Sequence, residues 1–146
     1  MDYDGVERLI AENPEKINFA PFGEGVSESW IELAEARLQV KFPPSYIWWL
    51  KNFRGGDING DEVFSIYGLD FDTVVGGDIV YMNELIRRGG FSTDRQLVIQ
   101  NNDQGETYFF DLDEVDGNDE YPVYVDPGSI RYADNFLDFI RRKINE

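Results

Sequence analysis

Two consecutive prolines, Pro43 and Pro44, stand directly before a stripe of aromatic residues that a diglycine closes, and no other stretch constrains the chain as much. Proline lacks a backbone N–H and cannot sit inside a helix, yet it suits the first turn, where that N–H would have no partner. Tyr46, Trp49, Leu50 and Phe53 then recur at i, i+3, i+4 and i+7, which lays them along one helical face. Gly55 and Gly56 are expected to stop the helix, because glycine enters the left-handed region at little cost. A helix this apolar on one side has to be buried, so the rest of the chain must supply what covers it.

The covering elements can be read from pattern and punctuation. Residues 3–11 form a short helix through Val6, Leu9 and Ile10, ended by Asn13 and Pro14. A second helix is capped by Ser27 or Ser29 and ends near Gln39; the Ser29 register adds Glu32 three residues on, a capping box. Asp78 caps a helix over 78–88 with Arg87 and Arg88 at its negative end, and a last helix over 133–144 presents Ala133, Phe136, Leu137, Ile140 and Ile144. Segments 62–67, 96–100, 106–111 and 122–125 are rich in β-branched and aromatic residues between turn formers, and read as strands. The middle two are joined by the hairpin loop 101–105. The expected fold is α+β, a largely antiparallel β-sheet with helices packed on one face, in a single domain over 1–146.

Composition removes whole classes of chemistry. The chain has no cysteine and no histidine, which excludes disulfides, thiolate nucleophiles, Cys-ligated zinc and every Ser-His-Asp or Cys-His arrangement. The expectation is no catalysis, no cofactor and no metal. Nowhere do about 18 apolar residues stand together, and the first ten residues carry no basic patch before an apolar run, so a cytoplasmic protein is expected.

What the composition does offer is charge. Thirteen Lys and Arg against 29 Asp and Glu give a net charge of −16, far beyond the magnitude of about 2–8 that suffices for solubility in a small domain. Such a field repels nucleic acid and anionic membranes and speeds encounter with a basic partner. No Lys or Arg lies between Gly55 and Ile86 or between Gln96 and Ile130. The second stretch contains the densest acidic run, Asp111, Asp113, Glu114, Asp116, Asp119 and Glu120, which is the first candidate for a partner-facing surface. Asp57, Asp61 and Glu62 form a second candidate group that adjoins the first if their strands are neighbours. Trp48, beside the apolar stripe of its helix, is a candidate interface anchor. Neither acidic group has calcium-loop spacing, because glycine falls in the wrong place. A strand would hold Asp111 and Asp113 about 6–7 Å apart, but no apolar pocket nearby would raise either pKa as an acid catalyst needs.

The run Leu38-Gln39-Val40-Lys41-Phe42-Pro43-Pro44-Ser45-Tyr46, then Trp49-Leu50 and Phe53-Arg54-Gly55-Gly56, resembles the signature of the SUKH superfamily. In that pattern Phe42 replaces the usual Leu, Trp49 the Phe, and Arg54 the Asn. Leu97-Val98-Ile99, Tyr108 to Asp111, Pro122-Val123-Tyr124 and Ala133 to Ile140 follow in the family's order, so the resemblance spans about residues 26–141. It implies an α+β fold and, in bacterial members, an immunity protein that neutralises a cognate polymorphic toxin, often one with a basic C-terminal nuclease domain. Other relatives are non-catalytic regulators of cell-wall assembly that bind proteins. The acidic charge agrees with the first role, since a nuclease binds phosphate in a basic cleft that an acidic surface can occupy.

Overall fold

The computed structural model describes residues 2–146. The proline-started helix forms where expected, over Pro44–Phe53, with Pro43 as N-cap, and buries Ser45, Tyr46, Trp49, Leu50 and Phe53. The Tyr46 ring meets Phe42, Phe110 and Phe136 edge-on, and Trp49 packs against Phe19 and Phe136. The Tyr46 hydroxyl, fully buried, donates to the Phe64 carbonyl at 2.6 Å. The helix therefore lies at the centre of the core.

Its ending differs from expectation. The first left-handed residue is Arg54, at φ 62 and ψ −56, where Gly55 N–H donates back to Phe53 at 2.6 Å and closes a strained γ-turn. Gly56, at φ 138, is needed for another reason: a Cβ there would stand 1.9 Å from the Asn18 carbonyl. The helix is thus ended at Arg54, and the glycine at 56 serves the close approach to Asn18.

In chain order the elements are α1 (Tyr3–Ala11), β1 (Ile17–Phe19), α2 (Glu28–Leu38), α3 (Pro44–Phe53), β2 (Gly56–Ile58), β3 (Asp61–Val63), α4 (Ile79–Arg88), β4 (Gln96–Asn101), β5 (Thr107–Asp111), β6 (Val123–Asp126), β7 (Ile130–Ala133) and α5 (Phe136–Asn145). The α+β class is as expected, and all strand pairs are antiparallel, but the strands fall into two sheets, β1-β2-β3 and β4-β5-β6-β7. Phe64 N–H, just after β3, donates to Ile99 in β4 at 2.8 Å and links them. Leu97, Val98, Ile99 and Gln100 are all buried, so β4 is covered on both faces.

The free edge of β4 is sealed by side chains of α4. Buried Asn83 donates to the Val98 carbonyl at 2.9 Å and accepts from Val98 N–H at 2.8 Å, while Arg87 donates to Gln96 at 3.0 Å. A side-chain amide thereby imitates a neighbouring strand, which is how an edge is kept from pairing with another chain. Asp78 caps α4 by accepting from Val80 and Tyr81, as expected. The last helix begins later than its periodicity suggests, because Ala133 belongs to β7 and Asn135 is the cap. Helix α2 starts from Ser27, whose Oγ bonds Ser29 Oγ at 3.2 Å, so the Ser29 capping box does not form.

Trp49→Ala is expected to cost about 3–5 kcal/mol through an unfilled cavity beside Phe136 and Tyr46, measured as a lowered urea midpoint at unchanged slope. A variant as stable as the parent would mean that this face does not carry the core.

Candidate functional site

The acidic run after β5 is held by its own backbone. Asp111 accepts from Asp113 N–H at 3.0 Å, and Asp116 accepts from Asn118 N–H at 2.8 Å and Glu120 N–H at 3.0 Å. Asp116 N–H returns a bond to the Glu120 carbonyl at 2.9 Å. These turns spend carboxylate oxygens on amides, the use to which Asp is suited, and fix the loop's shape.

Glu120 leaves the surface altogether, which corrects the reading of it as partner-facing. It is 8% exposed and reaches the first turn of α3, accepting from Ser45 N–H at 2.9 Å and Ser45 Oγ at 2.6 Å. It caps that helix from 75 residues away. Burial holds its carboxyl above the ordinary range, against the pull of the two Ser45 bonds.

The sequence shows no cation between Gln96 and Ile130, but the two arginines that bracket the gap fold back into it. Arg95 pairs with Asp113, and Arg131 donates to Glu114 at 3.2 Å. Tyr124 donates to the other Glu114 oxygen at 2.8 Å and its ring stacks on Phe109 at 6.0 Å. Together they border a groove of about 310 Å³ on the β4–β5–β6 sheet, lined by Arg95, Gln96, Phe109, Asp111, Asp113 and Tyr124 among others. Asp111, Asp116 and Asp119 make no ion pair among the described residues. The partner-facing candidates therefore divide into paired Asp113 and Glu114 and unpaired Asp111, Asp116 and Asp119. Pairing register could have exposed Arg95, since Gln96 lies opposite Asp111.

The second acidic group does not adjoin the first. Asp111 lies opposite Gln96 at one end of β4, whereas the Asp61 carbonyl accepts from Gln100 at 3.1 Å near the other. Asp57 shapes the β2–β3 turn by accepting from Gly60 N–H at 3.2 Å. Glu62 accepts from Tyr67 Oη at 2.8 Å, and that hydroxyl accepts from Gly77 N–H at 2.7 Å. Burial, with Glu62 beside it, pushes the Tyr67 hydroxyl up to about 12. Trp48 is half-buried, with Tyr3 over it at 4.8 Å and Phe53 edge-on at 5.6 Å, so much of its surface is already occupied. Among the described residues no group of three or more acidic side chains is arranged to hold a metal ion, and no helix is long and apolar enough to cross a membrane.

A family model described as the SMI1 / KNR4 family (SUKH-1) matches residues 25–142, well over half of the chain. The matched span contains α2 through most of α5, together with both sheets except β1.

Two buried carboxyls give the protein a pH signature. Asp78 and Glu120 are both raised, chiefly by burial. A carboxyl whose folded pKa exceeds its unfolded value binds more protons when folded, so its contribution is greatest at acid pH and is lost as pH rises through the raised value. Stability against urea is therefore expected to fall as pH rises out of the ordinary carboxylate range and through the raised values of Asp78 and Glu120. The Asp78→Asn/Glu120→Gln double variant should flatten that slope, separating these groups from general self-repulsion. An unflattened slope would assign the whole effect to surface charge.

Proposed function

The chain belongs to the SMI1/KNR4 (SUKH-1) family, and from that premise we propose that it is a cytoplasmic immunity protein that binds and neutralises a cognate toxin domain, a nuclease with a basic cleft, and catalyses nothing itself. The observation that carries this reading is the −16 charge together with its placement. Most of the carboxylates make no ion pair among the described residues, and the run after β5 is braced by turns and by the Glu120 cap. A stiff negative surface loses little entropy on docking. Exposed carboxylates repel one another, so holding them together is costly unless a positive partner relieves the repulsion. A nuclease cleft that binds phosphate supplies that partner, and occupying it excludes substrate without chemistry.

A second reading, a regulatory scaffold that binds client proteins, draws on the apolar groove beside α2 lined by Trp30, Leu33 and Phe71. Salt separates the two. Electrostatic steering predicts that association slows by about tenfold or more between low and high ionic strength, whereas a purely apolar contact would hardly respond.

The Asp111→Asn/Asp113→Asn/Asp119→Asn variant tests the surface without disturbing the fold, since Asn keeps the acceptor oxygen of the Asp111 turn and tolerates the φ of 62 at Asp119. It is expected to unfold at the same urea concentration as the parent, to associate with the toxin domain about tenfold more slowly, and to lose protection in a toxicity-rescue assay. Full protection at the parent's rate would remove this surface from the interface.

A further inference from the structure

Helix α2 is apolar on two sides but covered on only one. Ile31, Ala34 and Leu38 face the core, while Leu33 is 54% exposed on the outer side and Ala36 is exposed next to it. The loop before α4 brings Phe71 edge-on to Trp30 at 5.6 Å. The groove between them, about 620 Å³, is lined by Trp30, Leu33, Ala36, Arg37, Asp70 and Phe71. Leu69, on the same loop, is 55% exposed. Water-facing apolar side chains grouped around an aromatic pair mark an interaction site more often than chance exposure does. The Trp30 indole N–H makes no hydrogen bond among the described residues, and an aromatic ring with a free polar handle suits an interface.

The charges around the groove select what fills it. Arg37 is held by Asp72 at 2.8 Å and by Glu84 at 2.8 Å, so its guanidinium is already spent. Asp70, Asp72 and Glu84 against this one cation leave the rim negative, and Asp72 remains 73% exposed. A second copy of the chain is disfavoured, because two molecules of charge −16 would meet rim to rim with like charges opposed. A neutral apolar segment would leave the rim carboxylates without partners.

We propose that this groove is the apolar anchor site for the basic partner: it takes large aliphatic side chains from a Lys- or Arg-bearing segment whose cations meet Asp70 and Asp72. The assignment rests on the reading of the chain as a binder of a basic protein and gives that reading a place of contact distinct from the β5–β6 carboxylates. The field of the whole molecule draws the partner in. Leu33, Trp30 and Phe71 then hold it, since buried aromatic and aliphatic contacts dominate the lifetime of such complexes.

The test needs no toxin. The intact protein is titrated with a synthetic helical peptide carrying Leu at i, i+3 and i+4 and Lys elsewhere, and in parallel with oligolysine of equal charge. Binding is followed by calorimetry and by Trp emission, which reports the groove because Trp49 is fully buried and Trp48 lies against Tyr3. The Leu/Lys peptide is expected to shift the emission and to bind at least about tenfold more tightly than oligolysine, and Leu33→Glu should remove that advantage while leaving oligolysine binding unchanged. Equal affinity for both peptides, no effect of Leu33→Glu, no binding at all, or a dimer that Leu33→Glu dissociates would each overturn the assignment. Leu33-dependent peptide binding by a parent protein that fails to protect cells in the toxicity-rescue assay would instead count against the immunity reading and leave the groove standing.

Discussion

The rest of the molecule depends on how the first turn of α3 is buried. A helix N-terminus leaves backbone N–H groups without intrahelical partners, and inside a core each unpaired one costs about 1–3 kcal/mol. Pro43 and Pro44 remove two of these donors by having none. Tyr46 and Ile47 donate to the Pro43 carbonyl, both at 3.1 Å, and Ser45 is left for Glu120. The helix dipole favours a negative group there, which offsets part of the cost of desolvating it. One carboxylate thus ties the central aromatic helix to the acidic segment, and the position of the surface carboxylates follows from the packing of Tyr46 and Trp49.

That tie changes what the charge run means. Six carboxylates in ten residues suggest a floppy, solvated loop, yet one of the six is internal, two are paired by Arg95 and Arg131, and two others hold backbone turns. The run is a built surface with a definite pattern of paired and unpaired groups. Its negative potential survives because Arg95 and Arg131 pair with only two of its carboxylates. The stacked rings of Phe109 and Tyr124 lie beside it, and the Tyr124 hydroxyl donates to Glu114.

Much of this was legible in the sequence where the signal is local. Caps and periodicity placed α1, α3 and α4 almost to the residue, because Asp78, Pro44 and the apolar spacing act within one turn. The short strands β1, β2 and β7 were not legible. Ile17 pairs with Ile58 across some forty intervening residues, and three-residue strands of mixed polarity carry no alternation to read. Ala133 fits the helical period of α5 and still belongs to β7, since Asn135 sets the start and a cap outranks a period. The functional residues failed for a related reason. A charge run gives no sign of which carboxylate turns inward, so Glu120 was grouped with Asp119, its neighbour in sequence and not in environment. Arg95 and Arg131 stood one residue outside the cation-free stretch, and only strand register brings them back. The groove beside α2 was invisible because Leu33 carries the same apolar signal in the sequence as buried Ile31, Ala34 and Leu38; which apolar face of a helix is covered is decided by its neighbours.

Charge and apolar surface do different work in a protein that has no cysteine and no histidine. Coulombic attraction reaches about 8–10 Å through salt water before it is screened, far enough to orient an approaching cation but too weak at contact to hold it. Apolar contact has no reach, and acts only once water is expelled. A chain carrying −16 with its carboxylates spread over two ends of a sheet would attract any basic protein, nucleic-acid-binding proteins of the same cell included. Discrimination then has to come from shape, and one shape-bearing feature is the aromatic groove beside α2, whose own arginine is neutralised by Asp72 and Glu84. On the proposed reading, field and groove are complementary constraints: the first would set which class of partner arrives, and the second which member of that class stays.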